Sequence, residues 1–250
     1  MARILILGGT TEARELAELL AARGVTATLS LAGRTISPVA MPVPVRVGGF
    51  GGAAGLAAHL REQGIAILVD ATHPYAAAMS SHAAEAAAMA GVTLLALRRP
   101  AWQPVAGDDW TEVPDAHAAI AALGEASCRV FLALGRQELL PFIEAPQHAY
   151  LIRSVDPVEP PLAVPNAGYI LARGPFEAAA ELALLRDERI EAIVCKNSGG
   201  SATYGKISAA RALGIRVVML RRPMLPQATE VATAGDALAW LDHAGALRGV

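Results

Sequence analysis

Short apolar runs alternate with longer alanine-rich segments along the whole chain. Apolar runs of about four to eight residues are typical of buried strands, and the intervening segments have the length of helices. The pattern predicts strands near residues 2–8, 25–31, 65–70, 92–97, 128–134, 149–153, 168–172, 190–195 and 215–220. It predicts helices near residues 11–23, 52–63, 75–90, 115–123, 175–188, 203–213 and 234–243. This alternation indicates an α/β fold in which helices cover both faces of parallel sheets.

One segment of the chain occurs twice. Residues 91–100, GVTLLALRRP, correspond to residues 214–223, GIRVVMLRRP, so that Arg98 is matched by Arg221, 123 positions later. Each copy follows an alanine-rich helix and precedes a proline-containing loop and another short helix. Two α/β units fit this spacing, with a ligand in a cleft between them and a linker near residues 98–114. The alternative is a chance likeness between alanine-rich segments.

Composition narrows the class of protein. Of the 250 residues, 54% are hydrophobic and 18% are charged, which is typical of globular proteins and excludes disordered and collagen-like chains. A net charge of -2 gives no overall attraction to nucleic acid. No apolar run reaches the length of a membrane span, about 18 residues, and no signal segment is visible, so we expect a cytoplasmic protein.

The cysteines and histidines give no sign of a metal centre. Cys128 and Cys195 are the only cysteines, and both lie in or next to apolar runs. Such positions suit core packing in a reducing compartment. None of the six histidines has the spacing of a metal-ligand pair, and two separated cysteines do not complete a zinc set. We therefore expect no bound metal.

The first candidate site is a strand that runs through two glycines into a helix, residues 4–13, ILILGGTTEA. Glycines let the backbone approach a phosphate closely, and the amino end of a helix favours an anion. Gly8, Gly9, Thr10 and Thr11 therefore predict a phosphate-binding turn. Thr10 and Ala13 stand where the full G-x-G-x-x-G pattern has glycines, so the alternative is a tight turn capped by threonine with nothing bound.

The end of the second predicted strand indicates which dinucleotide would bind. An NAD site places an acidic residue about 20 residues after the glycine turn, whereas an NADP site places an arginine near the 2′-phosphate. Here the chain reads Ser30-Leu31-Ala32-Gly33-Arg34. With no acid present, Ser30, Gly33 and Arg34 favour NADP. The alternative is that Arg34 is an ordinary surface arginine.

Polar residues also follow the third predicted strand, in the sequence Asp70-Ala71-Thr72-His73-Pro74-Tyr75. The carboxyl ends of parallel strands are where open α/β sheets bind ligands. We therefore expect Asp70, Thr72, His73 and Tyr75 to face a cofactor or substrate, with His73 a candidate for proton transfer. The alternative is that His73 is a structural hydrogen-bonding residue and that Asp70 caps the next helix.

Both lysines of the chain lie in one loop, residues 196–206, KNSGGSATYGK. The other 19 basic residues are arginines, so two compact ammonium groups this close together suggest a specific use. Glycines, hydroxyls and an amide around them suit an anion-binding loop. The loop also approaches the G-x-x-x-x-G-K-[ST] pattern of phosphoryl-transfer enzymes, but Ile207 stands where a hydroxyl should hold Mg²⁺. A glycine-rich structural turn is the remaining alternative.

Three arginines lie at or after the ends of predicted strands: Arg136, Arg153 and Arg173. Guanidinium groups converging on one sheet edge would bind a ligand that carries several carboxylates. The alternative for each is a surface ion pair.

Taken together, these motifs resemble the precorrin-6A reductase family of cobalamin biosynthesis. The matching segments are Gly8 to Ala13, Ser30 to Arg34, Asp70 to Ala76, Lys196 to Gly200, Lys206 and Arg222-Pro223, and they keep the family's order over nearly the whole chain. The resemblance implies an NADPH-dependent oxidoreductase that reduces one carbon–carbon double bond of the macrocycle precorrin-6A to give precorrin-6B. It also implies two Rossmann-like, doubly wound domains, which we place at residues 1–110 and 111–250, facing a cleft and allowing an exchanged strand.

The resemblance further implies a division of the site residues. The glycine turn, the residues Ser30, Gly33 and Arg34, and the loop Thr72 to Pro74 would hold NADPH. Asp70, His73, Tyr75 or a bound water would supply the proton that completes the reduction. A second wall would bind substrate carboxylates or cofactor phosphates through Arg136, Arg153, Lys196, Asn197, Ser198, Gly199, Gly200, Thr203 and Lys206. The expected partners are a polycarboxylate tetrapyrrole and other enzymes of the pathway, without nucleic acid or membrane. A non-catalytic NADPH-binding redox sensor and a phosphoryl-transfer enzyme are the alternative functions.

Overall fold

The computed structural model describes residues 2–33 and 40–245. In chain order its first elements are β1 (Arg3–Leu7), α1 (Thr11–Ala22), β2 (Ala27–Leu31), β3 (Val45–Val47), α2 (Gly52–Glu62), β4 (Ile65–Asp70), α3 (Ala77–Ala90) and β5 (Thr93–Leu97). They are followed by β6 (Trp110–Val113), α4 (Ala116–Leu123), β7 (Arg129–Ala133), α5 (Arg136–Leu139), a 3-10 helix (Leu140–Glu144), β8 (Ala149–Ser154) and β9 (Ala167–Leu171). The last elements are α6 (Ala178–Asp187), β10 (Ala192–Lys196), α7 (Gly205–Leu213), β11 (Arg216–Leu220), β12 (Thr229–Val231) and α8 (Ala234–His243).

The chain forms two compact units. The first comprises Met1–Pro100 together with Pro223–Val250, and the second comprises Ala101–Arg222. This division differs from the expected boundary after residue 110, because residues 101–110 pack in the second unit and the segment after Arg222 returns β12 and α8 to the first.

The sheet of the first unit is wholly parallel, with strand order β3-β2-β1-β4-β5-β12. The chain moves outward from β1 through β2 to β3 and then returns to the other side of β1, so the order reverses between β1 and β4. Side chains of β1 alternate between two cores: Ile4 and Ile6 pack with α1 and α8, whereas Leu5 and Leu7 pack with α2 and α3. This alternation explains why the strand reads as an unbroken apolar run.

The sheet of the second unit repeats this topology, with parallel strands in the order β9-β8-β7-β10-β11-β6. The sixth strand of each sheet comes from a distant part of the chain: β6 follows β5 in sequence but pairs with β11, and β12 follows β11 but pairs with β5. The two copies of the repeated segment are β5 and β11, the fifth strands of their sheets. The structure therefore confirms the predicted α/β class and the exchange of a strand.

No helix in the described parts of the chain is long and apolar enough to cross a membrane.

Candidate functional site

A cavity of about 380 Å³ opens where β1, β2 and β4 of the first sheet end. This is the position at which the strand order reverses, where open α/β sheets bind their ligands. Five residues predicted from sequence line it: Gly8, Gly9, Gly33, Thr72 and His73. The sequence analysis missed the others, which are mostly apolar: Leu31, Ala32, Val47, Ala76, Ala78, Met79 and His82.

The glycine turn after β1 needs both of its glycines, for different reasons. The Gly8 amide donates to the Ser30 carbonyl at 2.9 Å, and a Cβ at Gly8 would lie 2.5 Å from the Leu29 Cδ1. Gly9 has φ +123°, a conformation that side-chain-bearing residues rarely adopt, and nothing lies within 4 Å of where its Cβ would stand. Gly8 thus permits close packing on β2, and Gly9 keeps the wall of the cavity open.

The two threonines after the turn have partners within the protein. The Thr10 hydroxyl accepts from the Ala13 amide at 3.1 Å, which caps α1, and donates to the Ala71 carbonyl at 2.9 Å. The Thr11 hydroxyl accepts a longer hydrogen bond from Arg14 at 3.4 Å. Thr10 therefore ties the start of α1 to the end of β4 and fixes two walls of the cavity relative to each other.

The predicted Ser30 is buried near the end of β2, next to an arginine of β3 that sequence reasoning missed. Arg46 pairs with Ser30 in the β2–β3 register and reaches its hydroxyl at 3.5 Å. The same guanidinium donates to the carbonyls of Gly48 and Gly49 and lies 3.8 Å from the centre of the Phe50 ring. Arg34, the residue predicted to bind the 2′-phosphate, lies outside the described residues.

The loop after β4 is ordered by Asp70, which is only 2% exposed. Its Oδ1 accepts from the Thr72 amide at 3.2 Å and from the Thr72 hydroxyl at 2.7 Å. Its Oδ2 lies 3.8 Å from Arg98 Nη2. The carboxylate is thus occupied inside the loop, and among the described residues only His73 of the three predicted proton donors lines the cavity.

His73 has a defined orientation. Its Nδ1 accepts a hydrogen bond from the Tyr75 amide at 3.3 Å, and the two rings lie 5.7 Å apart with a tilt of 43°. An accepting Nδ1 assigns the proton of the neutral ring to Nε2. Pro74 is buried between them. Of these three loop residues, His73 lines the cavity.

At the carboxyl edge of the second sheet, three of the predicted basic residues remain accessible. Arg136 follows β7, is exposed, and donates to the Pro157 carbonyl at 2.7 Å. Lys196 ends the neighbouring strand β10, and its Nζ lies 2.6 Å from Glu138 Oε1, with 16% of the lysine side chain exposed. Arg173 is also exposed, in the loop after β9.

Arg153, which was expected to bind a ligand, lies inside the second unit. It is 7% exposed and forms a two-pronged ion pair with the buried Glu181 of α6, at 2.5 and 2.9 Å. Its guanidinium also packs on the rings of Phe131 and Phe176, at 4.8 and 3.7 Å. The charge of Arg153 is therefore neutralised inside the unit, and sequence reasoning missed Glu181.

Asn197 likewise turns inward. Its Oδ1 accepts from the Trp102 amide at 2.8 Å, its Nδ2 donates to the Trp102 carbonyl at 2.9 Å, and its own carbonyl accepts from Arg222 Nε at 2.8 Å. The Trp102 indole donates to the Gly200 carbonyl at 2.8 Å. Gly199 and Gly200 both have positive φ, near 68° and 69°, and Ser198 donates its amide to the Lys196 carbonyl. This part of the loop is built around Trp102.

Lys206 is buried rather than facing a ligand. It is 3% exposed, its Nζ donates to the Thr203 carbonyl at 2.6 Å, and it lies 4.8 Å from the centre of the Trp102 ring. Burial lowers the pKa of this ammonium group. The two lysines of the loop therefore differ: Lys196 reaches the surface, whereas Lys206 is buried and stabilises the loop through the Thr203 carbonyl and the Trp102 ring.

Within the part of the chain that the structure describes, no group of three or more His, Cys, Asp or Glu side chains is placed to hold a metal ion.

Comparison with known proteins gives a consistent assignment. The family model described as "Precorrin-6x reductase CbiJ/CobK" matches residues 3–242. The precorrin-6A reductase of a Sinorhizobium species is 58% identical over 96% of this chain and 93% of its own, and that of Rhodobacter capsulatus is 51% identical over 100% of both. A solved structure of CobK precorrin-6A reductase is 50% identical, covers 100% of both chains, and superposes with a TM-score of 0.95. The chain belongs to the CbiJ/CobK precorrin-6x reductase family.

Proposed function

We propose that this chain is a precorrin-6A reductase of cobalamin biosynthesis that uses NADPH to reduce one carbon–carbon double bond of the macrocycle, giving precorrin-6B. The observation that carries the proposal is the cavity at the β1, β2 and β4 strand ends, lined by Gly8, Gly9 and His73, in a chain that belongs to this reductase family. The full-length matches to proteins named precorrin-6A reductase support the substrate.

The first unit fits a dinucleotide. The open Gly9 position and the amino end of α1 suit a pyrophosphate, because backbone amides and the helix dipole both attract anions. The lining of Leu31, Val47 and Met79 suits a planar ring. Gly33 has φ +74°, a conformation that favours glycine, and a Cβ there would lie 3.1 Å from Val47 Cγ1. Glycine therefore lets Gly33 and Val47 pack closely in the wall of the cavity.

NADPH is favoured over NADH by the absence of an acid at the end of β2. An NAD site would place a carboxylate on the ribose hydroxyls there, whereas this chain has Ser30, Gly33 and Arg34. Arg46 adds a second guanidinium next to Ser30. We assign the 2′-phosphate to Arg34, with Arg46 contributing positive charge from β3.

Substrate carboxylates are assigned to the accessible cations of the second unit, Arg136 and Lys196. Each has a polar partner within the protein that an incoming carboxylate would replace or share. Ser198, Gly199 and Gly200 follow Lys196 and supply backbone and hydroxyl donors in the same loop. Arg153, Asn197 and Lys206 are assigned to holding that wall in place, since their polar atoms are engaged inside the unit.

When bound, NADPH supplies a hydride to one carbon of the double bond and leaves as NADP⁺, and a proton on the neighbouring carbon completes the reduction. The residues of this chain orient the reactants, and the proton comes from solvent. We assign to His73 Nε2 a hydrogen bond that orients the bound reactants, because Nδ1 is held by the Tyr75 amide and the ring lines the cavity. Asp70 is assigned to loop ordering because its oxygens face Thr72 and Arg98.

The test of the reaction is a mixture of protein, NADPH and precorrin-6A, followed by the loss of reduced-nicotinamide absorbance and by mass analysis of the product for two added hydrogens. Nicotinamide oxidation that depends on the macrocycle supports the proposal. Binding of NADPH without such oxidation would support the redox-sensor alternative and refute the enzyme.

Two substitutions test the assignments. Arg34→Ala is expected to weaken NADPH binding about tenfold or more and NADH binding little, since only NADPH has the 2′-phosphate. Equal weakening of both would remove that assignment.

Lys196→Met is expected to raise the KM for precorrin-6A without changing the KM for NADPH, and Arg61→Ala, a surface arginine on α2, is the matched control. An unchanged KM for the macrocycle in Lys196→Met would refute the assignment.

A further inference from the structure

Arg98, at the end of β5, links the exchanged strand β12 to the loop that lines the cavity. Its backbone amide donates to the Val231 carbonyl at 2.9 Å. Its Nη1 donates to the Pro226 carbonyl at 3.2 Å and to Glu230 Oε2 at 3.0 Å. Its Nη2 lies 3.8 Å from Asp70 Oδ2.

The geometry makes the orientation of this guanidinium dependent on the exchanged segment. A guanidinium is planar and rigid, so fixing Nη1 between Pro226 and Glu230 also fixes the direction of Nη2 toward Asp70. The Asp70 side chain is 3% exposed and that of Arg98 is 11% exposed. At such burial the attraction between the two charges is weakly screened by solvent.

Asp70 connects Arg98 to a residue that lines the cavity. The same carboxylate accepts both the amide and the hydroxyl of Thr72, and Thr72 lines the cavity next to His73. A carboxylate that rotated away from Arg98 would release at least one of these hydrogen bonds. The position of the Thr72–His73 loop therefore depends on a charge supplied from β5 and held by β12.

The repeat within the chain shows that this arrangement is not a general requirement of the fold. Arg221 is the second copy of Arg98, and its backbone amide makes the equivalent hydrogen bond, to the Val113 carbonyl at 2.8 Å. Asp70 is paired with Ala96 on β5, and the equivalent pairing on β11 joins Cys195 to Met219. The second unit thus has a buried thiol where the first has a carboxylate, and Arg221 is exposed. The ion pair occurs in the unit that contains the cavity.

We propose that Arg98 is a positioning residue for cofactor binding: anchored by the exchanged strand, it holds Asp70 and through it the Thr72–His73 wall of the cavity. The inference rests on the proposed function, because it assigns the cavity to NADPH. It gives the exchanged strand a role in the site as well as in the fold.

The test is a double-mutant cycle on NADPH affinity, measured by nucleotide fluorescence with the full chain. Arg98→Gln and Asp70→Asn are each expected to weaken NADPH binding about tenfold, and the double variant by the same factor rather than about a hundredfold, since both remove one linkage. The KM for precorrin-6A is expected to stay within about twofold, which a general loss of structure would not produce. Arg61→Gln, whose side chain hydrogen-bonds the Met89 carbonyl away from the cavity, is the matched control.

Three outcomes would overturn the inference: unchanged NADPH affinity in Arg98→Gln, effects that multiply in the double variant, or equal losses for NADPH and the macrocycle. If Arg98→Gln does not fold, Arg98→Lys takes its place, because a lysine keeps the charge but lacks the fork that spans Glu230 and Asp70; unchanged affinity in Arg98→Lys then refutes the proposal. If the unaltered protein binds no NADPH, the proposed function itself fails, which separates the two results.

Discussion

Replacing Glu181 tests whether Arg153 serves the fold or the ligand. In the structure, Glu181 and Arg153 are 3% and 7% exposed, with two short hydrogen bonds between them. Glu181→Gln would leave a guanidinium charge buried against the rings of Phe131 and Phe176. Breaking a buried pair by removing one partner costs about 3–5 kcal/mol. That loss is a large fraction of the stability of an ordinary domain.

The assay is denaturant unfolding, with thermal melting as a second measure. A loss of about 3–5 kcal/mol corresponds to a fall in melting temperature on the order of 10 °C for a chain of this size. Glu177→Gln, an exposed acid at the start of the same helix, is the control and is expected to change the free energy of unfolding by less than about 0.5 kcal/mol. The pair Arg153→Met with Glu181→Leu is expected to recover most of the loss, because apolar replacements of similar size leave no buried charge.

Two results would refute this reasoning. One is a loss below about 1 kcal/mol in Glu181→Gln, which would mean that the guanidinium finds solvent or another partner. The other is an Arg153→Met variant that keeps its stability but shows a raised KM for precorrin-6A. That result would return Arg153 to the ligand-binding role expected from its place at a strand end.

Three further changes follow from the contacts of single side chains. Thr10→Val removes both the α1 cap and the tether to Ala71, so the free energy of unfolding is expected to fall by about 1–2 kcal/mol in a urea titration. Gly9→Ala forces a side chain into φ +123° at a residue that lines the cavity, so NADPH affinity is expected to fall together with about 1–3 kcal/mol of stability; unaltered nucleotide binding would contradict the cavity assignment. Burial lowers the pKa of His148 below 6.5, so the unfolded chain takes up a proton there more readily than the folded one. Stability is therefore expected to fall as the pH drops from about 7 to 5, and His148→Gln should flatten that slope when unfolding is measured across the range.

Much of the fold could be predicted because its strands are buried on both faces. Strands such as β1 and β10 carry apolar side chains toward two helical layers and appear as continuous apolar runs. The three strands that the sequence analysis missed, β3, β6 and β12, have only three or four residues and lie at sheet edges, where exposed positions interrupt the apolar pattern. Their pairing is set by distant strands, so no local pattern indicates it.

The boundary between the units was harder to place than the repeat that reveals them. The matched segments 91–100 and 214–223 correctly located β5 and β11, the fifth strand of each sheet, each of which is followed by the same Arg-Arg-Pro sequence. A boundary drawn by chain order assigns each segment to the unit of its neighbours. Here the chain after each repeat enters the opposite sheet, and only the hydrogen bonds of β6 and β12 show it.

The candidate site also contains residues whose contacts are close in sequence and residues whose contacts are distant, and only the first kind could be predicted. The glycine turn and the Thr72–His73 loop were predictable, because strand ends, glycines and helix starts are adjacent in sequence and meet at one edge of a parallel sheet.

The buried positions of the Arg153, Asn197 and Lys206 side chains could not be predicted. Their partners Glu181 and Trp102 lie 28 to 104 positions away in sequence. The rarity of lysine indicated one loop as a site but did not indicate that its two lysines have different roles. Lys196 pairs with Glu138 near the surface. Lys206 is buried, where it contacts the Trp102 ring and donates to the Thr203 carbonyl. A basic residue at a strand end is therefore expected to bind a ligand when it stays accessible, as Arg136 and Lys196 do, and not when its charge is buried against an acid and aromatic rings, as that of Arg153 is.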